Sequence, residues 1–374
     1  MQMVDSSKHI FNRRRLLTLG ATGLSAVALT ACGGRPTQPA PAHTNVAEKI
    51  VTVETSKEVP VDVAPTRRTV TLYSGRSEKL VAPILDAFEK ASGIDIRVKY
   101  GKSAALAATL MEEGNRSPAD VFYAQDPGAL GSVESLLDTL PSDVLGRTPA
   151  WAHHPEGLWV GVTGRARTVA YNTTTLSEAD LPDDMWGFRE AAWKNRIGWA
   201  PTNSSFQTMV TAMRALWGEG KAEEWLRGIQ ANDPTVYPKN TPQVVAAGTG
   251  EIDVGFVNHY YLHRALAEQG NSFPARNYHV RSGGPGALIM VSGAGILRTA
   301  RNHEMAVKLL AYLLADDTQQ SFASTTYEYP LVPGVTEHPG VAPLDSIKHP
   351  SIALADLADI KNSQDLLRKV GALV

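Results

Sequence analysis

From residue 69 onward, apolar runs of period two alternate with runs of helical period, and this restricts the chain to a sheet covered by helices. Residues 69–73 (TVTLY) form a β-branched strand, and residues 80–90 place apolar side chains at helical spacing before the Ser92-Gly93 stop. Residues 94–100 read as a strand, 104–113 as a helix, and 120–123 as a short buried strand ending at Asp126-Pro127-Gly128. Strand, helix, strand, helix, strand implies a parallel sheet with helices on both faces. The loops at the carboxyl ends of such strands line the ligand crevice, which here selects Gly75-Arg76-Ser77 and Gln125-Asp126.

The alternation resumes further on. Residues 195–200 are strand-like, 206–218 helical, 236–237 extended, 244–247 helical and 253–257 a buried strand. A long apolar run at 287–296 leads into a helix at 304–315. Roughly three hundred residues beyond 68 exceed one ordinary core and suit two lobes. The expected division is 69–168 with 291–345 as a discontinuous first lobe and 169–290 as the second, with crossings near 168–172 and 290–295. Residues 346–374 read as a helical segment assigned to neither lobe.

The amino terminus has a different character. Arg13-Arg14-Arg15 precedes an apolar run over 16–29 and the string Leu29-Thr30-Ala31-Cys32, which holds the only cysteine. A basic start, a short apolar stretch and small residues make residues 1–31 a secretory signal peptide, too short for a stable span. The string before Cys32 resembles the lipobox of bacterial lipoproteins, which implies acylation of the Cys32 thiol. Asn12-Arg13-Arg14-Arg15-Leu16-Leu17 also resembles a twin-arginine export motif. Residues 32–68, rich in Pro, Thr, Val and Ala, read as a tether between membrane and domain. The expected location is the outer face of the cytoplasmic membrane, periplasmic or cell-surface. Removing residues 1–31, which carry four basic and one acidic side chain, lowers the formal charge from -2 to about -5. With no basic patch, the chain lacks the electrostatic source of nucleic-acid binding.

Asn258-His259-Tyr260-Tyr261 follows the buried strand at 253–257 and opens an amphipathic helix. Neighbouring side chains at a helix start diverge by about 100° and can still converge on one object in a cleft. Two phenolates would suit a hard, highly charged cation, whereas the soft thiolates preferred by zinc or copper(I) are absent after Cys32. Free tyrosine titrates near a pKa of about 10, so the metal itself must displace both protons. Adjacent tyrosines more often serve as core or rim packing with satisfied hydroxyls.

Six strings in order resemble those of bacterial ferric-ion-binding proteins: VTLYSGRSEKL (70–80), SPADVFYAQDPGAL (117–130), WVGVTGRARTVAYNT (159–173), NHYYL (258–262), PGALIMVSGAGIL (285–297) and EYPL (328–331). These are the substrate-binding components of ATP-driven iron(III) importers. The resemblance spans about 69–345 and implies an α/β, two-lobed periplasmic-binding-protein fold of type II. It implies iron(III) as cargo held by Tyr260 and Tyr261, with carbonate or phosphate as a synergistic anion. An ABC permease and its ATPase are the implied partners, and the protein is expected to be a monomer. The anion pocket falls on Thr202-Asn203-Ser204-Ser205, where a helix start offers N–H groups, and on Arg76, whose planar fork fits a planar oxyanion. Asn240, Asn258, Ser77, Gln125 and Asp126 are the implied cleft-lining positions.

The chain departs from the family at several ligands. Ser77 and Gln125 stand where some members have histidine and glutamate, and Phe206 where others have a third tyrosine. Iron(III) takes about six donors, so the anion, water or Asp126 must complete the shell. Asp126 before Pro127-Gly128 also fits a turn former. His259 reads as a packing or rim residue, His153-His154 as solvated, and Arg165 and Arg167 share one face of a strand, with the outer face open to them.

Two other functions compete. One is capture of a small organic or phosphonate anion without metal, using Arg76 and the loop at 203–205. The other is an exported hydrolase, for which no Gly-x-Ser-x-Gly elbow or base is present. The anchor reading has a direct test: Cys32→Ser should leave the precursor uncut at this site or release an untethered protein on membrane fractionation. Unchanged lipid labelling of that variant would remove the lipoprotein assignment.

Overall fold

The computed structural model describes residues 68–373. Cys32, the arginine run, the signal peptide and nearly all of the tether lie outside the described residues.

The first half of the described chain runs β1 (Thr69–Ser74), α1 (Glu78–Ser92), β2 (Asp95–Tyr100), α2 (Ser103–Glu113), β3 (Val121–Ala124), α3 (Pro127–Gly131), α4 (Ser142–Leu145) and β4 (Val160–Asn172). There follow β5 (Ile197–Trp199), α5 (Ser204–Trp217), α6 (Glu219–Ala231), β6 (Thr235–Val236), α7 (Asn240–Thr249), β7 (Val254–Asn258), α8 (Tyr260–Gln269) and β8 (Ala275–Tyr278). The chain ends with β9 (Ile289–Ile296), α9 (His303–Leu313), α10 (Asp316–Thr326), β10 (Tyr329–Pro330) and α11 (Ile360–Lys369).

The expected parallel set is present, since β1 pairs in parallel with both β2 and β3. Period two in β1 sorts its side chains: Val70 and Leu72 join the core beneath α1, while Tyr73 joins the core beneath α2. Helix α1 buries Val81, Ile84, Leu85 and Phe88 at the spacing of one helical face and stops at Gly93, which takes φ 66° and returns its N–H to Glu89.

β4 is the long strand that the two sheets share. Its residues 160–166 pair with β9, and its residues 167–171 pair with β7. The change of partner therefore falls between Ala166 and Arg167, a little before the expected crossing at 168–172. β9 lies wholly in the first sheet, between β3 and β4. The approach from the second lobe is made by the turn Pro285–Ala287 just before it.

The second lobe is organised around aromatics. Phe188, Phe206, Trp225 and Phe256 form one ring cluster, and Trp225 Nε1 donates to the Met185 carbonyl at 2.6 Å. The carboxyl-terminal segment touches both lobes. Leu366, Leu367 and Val370 of α11 join the second-lobe core, whereas Leu354 and Leu357 join the core of the first lobe. The fit against α3 is tight, because a Cβ on Gly128 would lie 2.3 Å from Ile360 Cγ1.

Asp120 ties β1 to the start of α9. Its carboxylate, 1% exposed, accepts from Thr71 N (2.8 Å), Asn302 N (3.0 Å) and Asn302 Nδ2 (3.2 Å). Asp120→Ala strands buried N–H groups and should cost about 2–4 kcal/mol in urea unfolding, with Asp120→Asn losing less because one acceptor survives.

Candidate metal and anion centre

Strand β7 ends at Asn258, and the chain turns directly into α8, so Tyr260 and Tyr261 occupy its first two positions. Their rings stack, with centroids 4.2 Å apart and planes inclined by 28°. Tyr260 is buried and Tyr261 half-buried. Burial, then the neighbouring Tyr261 and Glu328, push the Tyr260 phenol well above its ordinary pKa, while Arg165 and Arg76 act in the opposite direction. The charges that reach the pair thus come from residues scattered over β4, the loop after β1 and the turn after α10.

Arg165 and Arg167 do not lie on an outer face. Both are fully buried on β4 at the change of partner. Arg165 Nη2 donates to the Val291 carbonyl at 3.2 Å, and Arg167 Nη1 donates to Asn258 Oδ1 at 2.9 Å. Their remaining buried donors, Nε and Nη1 of Arg165 and Nε and Nη2 of Arg167, have no hydrogen-bond partner among the described residues. Burial pulls the Arg167 pKa down to about 9, helped by the like charge of Arg165 and opposed by the tyrosine pair.

Arg76 is differently placed from the open fork that the sequence suggests. Its Nη2 donates to both oxygens of Glu328, at 2.5 and 2.7 Å, in a pair almost wholly removed from solvent. Burial alone would lower the Arg76 pKa, but Glu328, with Tyr123 and Tyr260, holds it above the ordinary arginine value. The Glu328 carboxylate also accepts from Thr163 Oγ1 at 2.6 Å, and the Thr163 hydroxyl meets that of Ser292 at 2.7 Å. Arg76 Nε is buried with no hydrogen-bond partner among the described residues. Glu328 was visible in the sequence only inside the EYPL string. Its partner lies 252 positions away, so no spacing rule could have paired them. Tyr123, fully buried with its phenol beside Arg76, was likewise missed.

A left-handed residue delivers Glu328. Tyr327 caps α10 with φ 61°, an uncommon conformation for a tyrosine, and turns the chain sharply into β10. Its carbonyl accepts from His259 Nε2 at 2.7 Å, while His259 Nδ1 accepts from Ala166 N at 3.1 Å. His259 is therefore neutral, with its proton on Nε2. Burial first, and then His263, lower its pKa to about 3. Stacked on Tyr329 at 4.5 Å, it joins β4, α8 and β10 and is a packing residue.

Helix α5 begins where the sequence places the anion pocket. Asn203 caps it, with Oδ1 accepting from Ser205 N (3.0 Å) and Phe206 N (3.4 Å), so two of the N–H groups offered to an anion are already used. Ser205 Oγ accepts from Asn258 Nδ2 at 3.1 Å, which leaves the hydroxyl proton to donate elsewhere. Asn258 thus links Arg167 to Ser205 across β7 and α5. Ser204 is half-buried at the first turn. Ser77 is exposed, and Gln125 donates its backbone N–H to Ser103 Oγ at 2.9 Å. Asn240 is fully buried, with Oδ1 accepting from Gln243 Nε2 at 3.3 Å and Nδ2 unpartnered among the described residues.

Asp126 caps α3 by accepting from Ala129 N at 3.1 Å. Phe206, at the position of a third tyrosine in some members, is a core residue edge-on to Trp199 at 5.7 Å. His154 is buried rather than solvated: its ring lies edge-on to Trp159, and its Nε2 stands 3.3 Å from Glu134 Oε1. Among the described residues no group of three or more His, Cys, Asp or Glu side chains is placed to hold a metal ion.

Comparison with known proteins agrees with this architecture. Residues 84–348 match the family model for the bacterial extracellular solute-binding protein. The major ferric iron-binding protein of Neisseria meningitidis is 35% identical over 315 residues, covering 82% of this chain and 94% of that protein. Iron-bound HitA from Pseudomonas aeruginosa superposes with a TM-score of 0.78 at 32% identity, covering 81% of this chain and 99% of that one. The apo ferric ion-binding protein A of Pasteurella haemolytica follows at 0.76 and 26% identity, covering 81% and 98%. The two-lobed type II periplasmic-binding-protein fold expected from the sequence is therefore the fold observed. With a stacked tyrosine pair, a buried arginine frame, this fold and this extent of identity, the chain belongs to the bacterial extracellular solute-binding proteins, in the group that contains the ferric-iron-binding proteins.

Proposed function

We propose that this protein captures iron(III) outside the cytoplasm, closes its lobes around it, and delivers it to an ABC permease driven by its ATPase. The observation that carries this reading is the Tyr260–Tyr261 stack at the start of α8, in a chain 35% identical to a protein named for ferric iron binding. The cargo is bound and released without chemical change. A lipid on Cys32 would keep the monomeric protein near its permease.

Charge balance supports a trivalent cargo with an anion. Three buried guanidinium groups against the single carboxylate of Glu328 leave an excess of two positive charges, which two phenolates would cancel. A trivalent ion restores a positive excess, and a dianion such as carbonate, or phosphate, reduces it. The open donors of Arg167 and Arg165, the Ser205 hydroxyl and the Ser204 turn form the anion end of the site in this reading, with Arg76 positioned through Glu328. Water or the anion fills the remaining iron positions.

Replacing both Tyr260 and Tyr261 with phenylalanine keeps the rings and removes the donors. The double variant should lose the visible phenolate-to-iron colour and at least about a hundredfold in affinity by competition titration with citrate. Native colour and affinity would sink the assignment, and purified parent protein free of iron by metal analysis would favour the metal-free anion binder.

The anion end predicts a ranking. Arg167→Gln should weaken iron loading by about 10–100-fold in bicarbonate or phosphate buffer, the worth of one or two charge-assisted hydrogen bonds. Arg76→Ala should instead lower folding stability by about 3–5 kcal/mol, because it leaves Glu328 charged and buried without its partner. Equal loading of parent and Arg167→Gln in every buffer would remove Arg167 from the site.

A further inference from the structure

A cavity of about 290 Å³ opens where α2, α3, the start of α5 and the carboxyl-terminal segment meet. Ala104, Ala107, Ala108 and Met111 of α2 form its wall, with Ala129 and Ile360 opposite. The polar groups around it are mostly spent. Gln207 donates from Nε2 to the Pro201 carbonyl and accepts at Oε1 from Gln364, both at 3.0 Å. Ser132 donates to the Ala129 carbonyl at 2.8 Å, and the exposed ammonium of Lys361 at the rim is held by Asp365 at 3.0 Å.

One group stands apart. Asp126 also lines this cavity, is 2% exposed, and uses Oδ1 to cap α3, yet its Oδ2 is buried with no partner among the described residues. An acceptor left bare in this way costs about 1–3 kcal/mol, more when charged. Water is a poor remedy, since a buried water needs two to four polar partners and the wall supplies alanine and methionine methyl groups. A ligand with one cationic donor and a short apolar body answers both features.

We propose that this cavity is a binding site for a small aliphatic ammonium, with Asp126 Oδ2 accepting from the cationic nitrogen and the alkyl chain lying along the alanines of α2. The site shares no residue with the tyrosine pair, although Ser204 borders both it and the proposed anion end. Its occupant would touch α2 and α3 of the first lobe and Ser204 of the second.

The test uses the purified iron-free protein labelled with ¹³C at its methionine methyl groups, with Met111, 50% exposed at the cavity wall, as reporter. n-Butylammonium chloride should shift the Met111 resonance saturably, and n-butanol, with the same chain and no charge, should need at least about tenfold higher concentration. Asp126→Asn retains a side-chain oxygen to cap α3 and should weaken the ammonium at least about tenfold. Ala108→Trp, which keeps the carboxylate and fills the cavity, should abolish the shift even if the Asp126 variant folds poorly. Equal affinity for butanol, an unsaturable shift, or unchanged binding in Ala108→Trp would overturn the proposal. None of these readouts involves iron, so their failure leaves the iron reading untouched.

Discussion

Membership of β4 in both sheets is the constraint from which the rest of the site follows. A strand that pairs with β9 up to Ala166 and with β7 from Arg167 has to carry side chains through the junction of two cores. Apolar residues would merge those cores. Instead Arg165 and Arg167 stand on the same face across the change of partner, fully buried, with open N–H groups. Buried unpaired guanidinium groups are costly, so the fold gains from any anion that enters there, and the tyrosine pair sits within reach of their field. In the proposed reading, the affinity for cargo and the cost of burying these guanidinium groups are two aspects of one charge arrangement.

Glu328 has a separate part in that arrangement. By binding Arg76 and Thr163 it neutralises one of the three guanidinium groups inside the first lobe and fixes the loop after β1. Arg165 and Arg167 are then left without a carboxylate, which in the proposed reading matches the two tyrosines. Tyr327 makes this possible by accepting a left-handed conformation, and His259 offsets part of that cost by holding the Tyr327 carbonyl while receiving the Ala166 N–H. Because Ala166 is the last β4 residue of the first sheet, the histidine beside the tyrosine pair is bonded directly to the point where the lobes meet. In the proposed reading, lobe closure and metal capture then act on one another over a very short path.

Much of the fold was legible from period alone. Strands β1, β2 and β3 and helices α1 and α2 repeat their apolar residues clearly, and they fall within a few residues of the expected limits. The tyrosine pair was ambiguous as chemistry, since adjacent tyrosines also serve as packing, and it stood out only within the NHYYL string that resembles the family. Arg165 and Arg167 were legible only as sharing a face. Which face it was depended on the partners of β4, and those come from β7 and β9, about ninety and more than a hundred residues away. His154 failed for a similar reason, because its loop looks polar but folds against Trp159.

The sequence by itself determined the order of elements and the two-lobed plan, because both show in short-range periodicity, and it singled out the tyrosine pair as candidate donors through the family resemblance of the string around it. Only the tertiary structure decided that Arg76 is tied to Glu328, that Arg167 is buried against Asn258, that Asn203 uses part of the helix start it was expected to offer, and that Asp126 lines a largely apolar cavity. The physical reason is the same in each case. Whether a charged or polar group is free to bind a ligand depends on what else competes for its hydrogen bonds, and the competitors are brought to it by packing, not by their place in the chain.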